Sequence, residues 1–127
     1  TMIPNALDSW GFTNVSLVEE QSTPDGDFPT VTSPNPEEHA ALALGIKQLL
    51  RDEADILIGT DPDTDRVGVA VLHQGEAVLI TGNQMAALCT AHVCESLEEE
   101  GRLPENAAFV KTIVTTELIK AIANYCL

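Results

Sequence analysis

The period of the apolar positions changes several times along the chain, and each change predicts an element. Ile3, Leu7 and Trp10 fall at helical spacing, which predicts a helix over residues 2–10 with Gly11 as its C′ stop. The next stretch, FTNVSLVEE, places Phe12, Val15, Leu17 and Val18 in a predicted strand. QSTPDGDFPTVTSPNP, with its four prolines and a glycine, reads as loop throughout, long enough to suggest a functional role. Asn35 suits an N-cap, Pro36 the first helical position, and Glu37 and Glu38 the positive end of the dipole. The helix so opened runs to about Asp52, with Leu42, Ile46, Leu49 and Leu50 as its buried stripe. A strand is predicted at 55–59, and VGVAVLH and EAVLIT read as a hairpin around Gln74-Gly75. Gly82-Asn83 opens a long helix that ends at Gly101. AAFVKTIVT predicts a further strand, and TELIKAIANYCL a last helix capped by Thr115 or Thr116. Alternation of strands with helices implies an α/β class, a three-layer αβα arrangement with a mostly parallel sheet.

In such sheets sites form at the carboxyl ends of strands, which draws attention to residues 55–71, DILIGTDPDTDRVGVAV. Asp61, Asp63 and Asp65 alternate with Pro62 and Thr64, and Arg66 follows directly. Carboxylates brought within a few ångströms raise one another's pKa unless a cation compensates. All-oxygen ligation suits Mg²⁺, which keeps positions open for water or a substrate phosphate. The planar fork of Arg66 suits a phosphate or a polar substrate oxygen better than a mere counter-charge. The plainer reading is a solvated acidic turn, since Asp is a common turn former. An EF-hand loop counted from Asp61 fails, because Arg66 and Leu72 stand where Gly and Glu are needed. DTDRV, from Asp63 to Val67, does satisfy the DxDx[TV] pattern of haloacid-dehalogenase-like phosphatases. Lys111 or Lys120 would then be that family's lysine, but no later acidic pair appears. A non-enzymatic divalent-cation-binding module is the other alternative.

Charge and cysteine content narrow the partners. Twenty Asp and Glu against six Lys and Arg give a formal net charge of −14, which would repel a phosphate backbone and argues against nucleic-acid binding. Most of the excess lies on helix-like stretches such as Glu98-Glu99-Glu100 and reads as solvated face. Cys89, Cys94 and Cys126 form no CxxC pair, as expected of buried thiols in a reducing cytoplasm. No apolar run approaches the length of a membrane helix, and no signal sequence opens the chain, so a soluble cytoplasmic protein is expected.

TDPDTDR, taken together with EEQSTPDGDFPTVTSPNPEE, LITGNQMAAL and VKTIVTTELIKAIA in the same order, resembles the α-D-phosphohexomutases, the phosphoglucomutase and phosphomannomutase relatives. The resemblance covers nearly the whole chain and leans towards the bacterial phosphoglucomutase and phosphopentomutase branch. It implies a fragment: residues 1–75 as most of the family's second domain, without its first strand, and residues 76–127 as the start of the third. It also implies a reversible phosphoryl shift on a sugar phosphate (1 to 6, or 1 to 5 for a pentose) through a phosphoserine and a bisphosphate intermediate. Carried over by residue, Asp61, Asp63 and Asp65 would ligate Mg²⁺, and Arg66 would contact the phosphoserine or the sugar phosphate. Lys111 lies near a family position that contacts substrate. The serine-bearing TASHNP-type loop and the sugar-discriminating GEESGH-type loop are absent, so this chain alone is expected to be inert. An incomplete sheet should also leave exposed edges through which it self-associates, or onto which its C-terminal βα unit folds.

Overall fold

The computed structural model describes residues 2–126; Leu127, the expected end of the last helix, lies outside them. Its elements are α1 (Met2–Ser9), α2 (Glu19–Ser22), α3 (Ala43–Arg51), β1 (Ile56–Thr60), β2 (Val67–His73), β3 (Glu76–Ile80), α4 (Gly82–Glu99) and α5 (Leu118–Cys126). Helix and sheet mix as the α/β class requires, but the sheet is not parallel. Its order is β1-β2-β3, and both pairings are antiparallel, in register at Gly59↔Gly68 and Ala70↔Leu79. The cause is connection length: six residues join β1 to β2 and two join β2 to β3, too few for the crossover a parallel pair needs. Gln74 (φ 51°) and Gly75 (φ 82°) make the two-residue turn, whose paired positive φ values match strand twist. Position 75, the predicted domain boundary, is thus the tip of the β2–β3 hairpin.

Two segments predicted as strands join no ladder. Residues 12–18 form no regular element, with Phe12, Val15 and Leu17 exposed, and the chain then turns into α2. Their apolar positions do not alternate, so no pairing register presents a single apolar face. The segment is held instead by Gln48 on α3, whose Nε2 donates to Ser16 Oγ and to the Leu17 carbonyl. Residues 107–115 fail for a different reason: Lys111 Nζ donates to the carbonyls of Thr112 and Thr115, and the two threonine hydroxyls pair at 2.9 Å. Such local bonds compete with a strand ladder.

Helix α3 begins seven residues after the predicted Pro36, at Ala43. Asn35 does cap, its Oδ1 accepting from the Glu37 N–H, but it caps a turn rather than a helix. Three short backbone bonds follow, Glu38 to Asn35, Ala41 to Glu38 and Ala43 to Ala40, which carry the chain tightly to α3. On α3 the buried stripe is Leu42, Gly45, Ile46 and Leu49, whereas Leu50 is exposed. Gly45 is buried because a Cβ there would meet the Leu57 side chain at 2.7 Å, so the helix lies very close to β1. Gly68, Val69 and Ala70 are buried in succession, which means that both faces of the central strand are covered.

The long helix α4 opens with a capping box that the sequence TGNQ announces: Thr81 Oγ1 accepts from the Gln84 N–H, and Gln84 Oε1 accepts from the Thr81 N–H. It packs on β2 and on α5, where Ala87, Cys94, Ile119 and Ala123 form a second small core. Thr116 caps α5 by accepting from the Leu118 N–H, and its own N–H donates to Asn83 Oδ1 on α4. No helix among the described residues is long and apolar enough to cross a membrane.

Candidate metal centre

The last ladder rung between β1 and β2 is Thr60↔Val67, so residues 61–66 form the hairpin loop at the carboxyl end of β1. The loop folds on itself through two backbone bonds, Thr64 N–H to the Asp61 carbonyl and Asp61 N–H to the Arg66 carbonyl. Thr64 sits at φ 62°, a left-handed conformation that a β-branched residue adopts only under constraint. Strain of this kind, worth about 1–3 kcal/mol, accumulates where a loop must present side chains in a set direction.

The result is convergence: carboxylate oxygens of Asp61, Asp63 and Asp65 all lie within 4.8 Å of one another. Asp61 is buried at 2% exposure, while Asp63 and Asp65 face solvent. Arg66 locks the buried member. Its backbone N–H donates to Asp61 Oδ1 at 3.1 Å and its Nε to Oδ2 at 2.7 Å, with Asp65 Oδ1 at 3.6 Å. Burial opposes ionisation of Asp61, yet the backbone and guanidinium donors of Arg66 hold its carboxyl at about 2. Asp65 is pushed the other way, raised by sharing a hydrogen bond with Asp61 and by the charges of Asp63 and Asp61. One guanidinium therefore does not neutralise the cluster.

These features fit a hard cation. The donors are all oxygen, two of them are solvent-facing, and the repulsion that raises Asp65 is what a divalent ion would relieve. Lys111 is not part of this arrangement. Its Nζ pairs with Glu117 Oε1 at 2.7 Å and with the Thr115 carbonyl at 3.0 Å, so its described partners all belong to the approach to α5. One contributor has no sequence signal of its own. Gly68, on the second rung from the loop, takes the Pro36 backbone against its α-carbon, and only the absence of a side chain permits that approach.

Residues 1–75 match the family model described as phosphoglucomutase/phosphomannomutase, alpha/beta/alpha domain II. Phosphoglucomutases of Staphylococcus aureus strains bovine RF122 / ET3-1 and USA300 are each 35% identical to the chain over 125 residues, and that of strain N315 is 34% identical. These alignments cover 98% of this chain and 22% of each relative, so the chain spans about a fifth of the length of the curated relatives it matches. No solved structure matches it.

Proposed function

The chain belongs to the phosphoglucomutase/phosphomannomutase family, and we propose that it is the metal-loop part of a cytoplasmic phosphosugar mutase. The observation that carries the reading is the strained hairpin loop with its three converging carboxylates and the arginine that holds one of them. In this reading Asp61, Asp63 and Asp65 hold Mg²⁺, which when bound neutralises charge on the transferring phosphoryl group. Arg66 keeps Asp61 ionised and oriented through Nε, and its half-exposed guanidinium would contact the phosphoserine or the sugar phosphate. Lys111 lends a positive charge near substrate once Glu117 releases it. The reaction is a reversible phosphoryl shift between the 1-position and the terminal carbon of a sugar phosphate. It proceeds through a phosphoserine on a segment outside these residues and a bisphosphate intermediate. Residues 1–75 supply the metal loop, and residues 76–127 open the next domain.

A chimaera tests this. Residues 1–75 replace the matching segment of a Staphylococcus aureus phosphoglucomutase, and conversion of glucose 1-phosphate is followed with and without Mg²⁺. Mg²⁺-dependent turnover is expected, with a loss of about 100-fold or more on Asp61→Asn as transition-state charge stabilisation is removed. A folded chimaera that is inactive, or as active with Asp61→Asn as without it, rejects the reading. Mg²⁺-dependent hydrolysis of a chromogenic phosphate by the 127-residue chain itself would point to a phosphatase instead.

A further inference from the structure

Three glycines, one on α3 and two on the sheet it packs against, are glycines for space rather than for backbone conformation. None of Gly45, Gly59 and Gly68 has a positive φ, yet a Cβ on each would collide with a different part of the 36–57 region. At Gly45 and Gly59 the obstacle is a side chain, Leu57 at 2.7 Å and Leu42 at 2.6 Å. At Gly68 it is backbone: the Pro36 carbonyl oxygen lies closest, with its carbonyl carbon at 2.7 Å and the ring Cβ at 3.1 Å. Gly59 and Gly68 are cross-strand partners, the second rung from the loop that carries the aspartates. The chain from Pro36 to Leu42 thus crosses this glycine pair, pressing β2 with a peptide group and β1 with a side chain.

The turn that delivers Pro36 is itself braced. Asn35 Oδ1 accepts from the Glu37 N–H, Asn35 Nδ2 donates to Glu38 Oε1, and Ser33 Oγ donates to the same oxygen. The Glu37 carboxylate reaches Gly82 at the start of α4, where a Cβ would stand 3.1 Å from Oε1, and the positive end of that helix favours its charge.

We propose that the Asn35–Glu38 turn is a positioning element for the Asp61–Arg66 loop, acting as a strut through the Pro36 peptide on Gly68. Arg66 is the last loop residue, two positions before Gly68 and directly joined to the start of β2, so a displacement of β2 at Gly68 moves the backbone N–H and Nε that hold Asp61. The consequence for metal binding rests on the function proposed above, but the strut itself does not.

The test therefore reads the Arg66–Asp61 hydrogen bonds without metal, so that its failure is distinguishable from failure of the mutase reading, which metal-dependent turnover decides. The Arg66 amide and Nε–H signals are followed by nitrogen–proton correlation spectroscopy well below the unfolding transition. Three variants are compared: Gly68→Ala, Asn35→Ala, and Gly45→Ala as a control that strains the α3–β1 contact away from the loop. Hydrogen exchange at Arg66 is expected to quicken about tenfold or more in Gly68→Ala and less in Asn35→Ala, with little change in Gly45→Ala. A merely structural role would lower the unfolding midpoint in all three and leave the Arg66 signals alone, which overturns the proposal. Equal disturbance by Gly45→Ala overturns it as well. Should Gly68→Ala not fold, Asn35→Ala against Gly45→Ala decides.

Discussion

Asp61 keeps its charge where burial opposes it, and the donors of Arg66 are the reason. A carboxylate held at about 2 against an ordinary 3.8 binds fewer protons folded than unfolded, so it adds stability above the ordinary value. That contribution is lost as pH falls from 3.8 towards 2. Arg66→Ala is therefore expected to lower the calorimetric unfolding midpoint by several degrees at neutral pH. The deficit should shrink as the solution is acidified through that window. Asp65 has the opposite sign: its raised pKa means that the folded state disfavours its charge, so its support is present in acid and lost on the way to neutrality. Asp65→Asn should accordingly raise the metal-free midpoint at neutral pH while weakening Mg²⁺ affinity in calorimetric titration. A midpoint that falls would show that the carboxylates are not in conflict. The alternation of three aspartates beside an arginine made this cluster legible in the sequence. The division of labour within it was not, because which aspartate is buried depends on how the hairpin closes.

At the scale of elements, chain reversals were easier to read than strand partners. Gly11 and Gly101 end α1 and α4 as their positions implied. In each case the glycine has positive φ, and the following N–H reaches back five residues, from Phe12 to Leu7 and from Arg102 to Leu97. Helix α3 ends in the same motif without a glycine. Glu53 takes φ 49°, and the Ala54 N–H donates to the Leu49 carbonyl. Glu53→Gly should stabilise the protein by about 0.5–1 kcal/mol in urea unfolding, since glycine removes the left-handed penalty. A destabilised variant would mean that the side chain contributes more than its backbone conformation costs. Sheet direction was the element-level property that pattern gave only in part. The hairpin read around Gln74-Gly75 gave β2 and β3 as antiparallel, as they are, but the apolar runs at 55–59 and 67–73 are compatible with either orientation, and only the six-residue link decides for antiparallel pairing there. Likewise FVKTIV has the composition of a strand, but Lys111 occupies carbonyls that a neighbour would need.

For the molecule as a whole, apolar surface is the notable quantity. Val110, Ile113 and Val114 are 90%, 97% and 83% exposed, and β1 and β3 are open edges of the three-stranded sheet. Exposed apolar side chains together with free strand edges favour association between copies, which a formal charge of −14 opposes at long range. Sedimentation velocity should show association that grows with concentration and with added salt, as screening shortens the repulsion, and Ile113→Lys should suppress it. A monomer at all salt concentrations would count against that surface being adhesive. The antiparallel meander has a further consequence, in the order of folding events. Every residue of the aspartate cluster, and both strands that present it, lies between positions 56 and 73, so the site needs almost no long-range loop closure to assemble. Hairpins of this span close in about 1–10 μs, and proteins whose contacts are local fold fast. The carboxylates should thus meet while the rest of the chain is still searching, with Arg66 as the one Lys or Arg within that span to offset their repulsion. A divalent cation present at that moment would act on the folding rate as well as on the finished site.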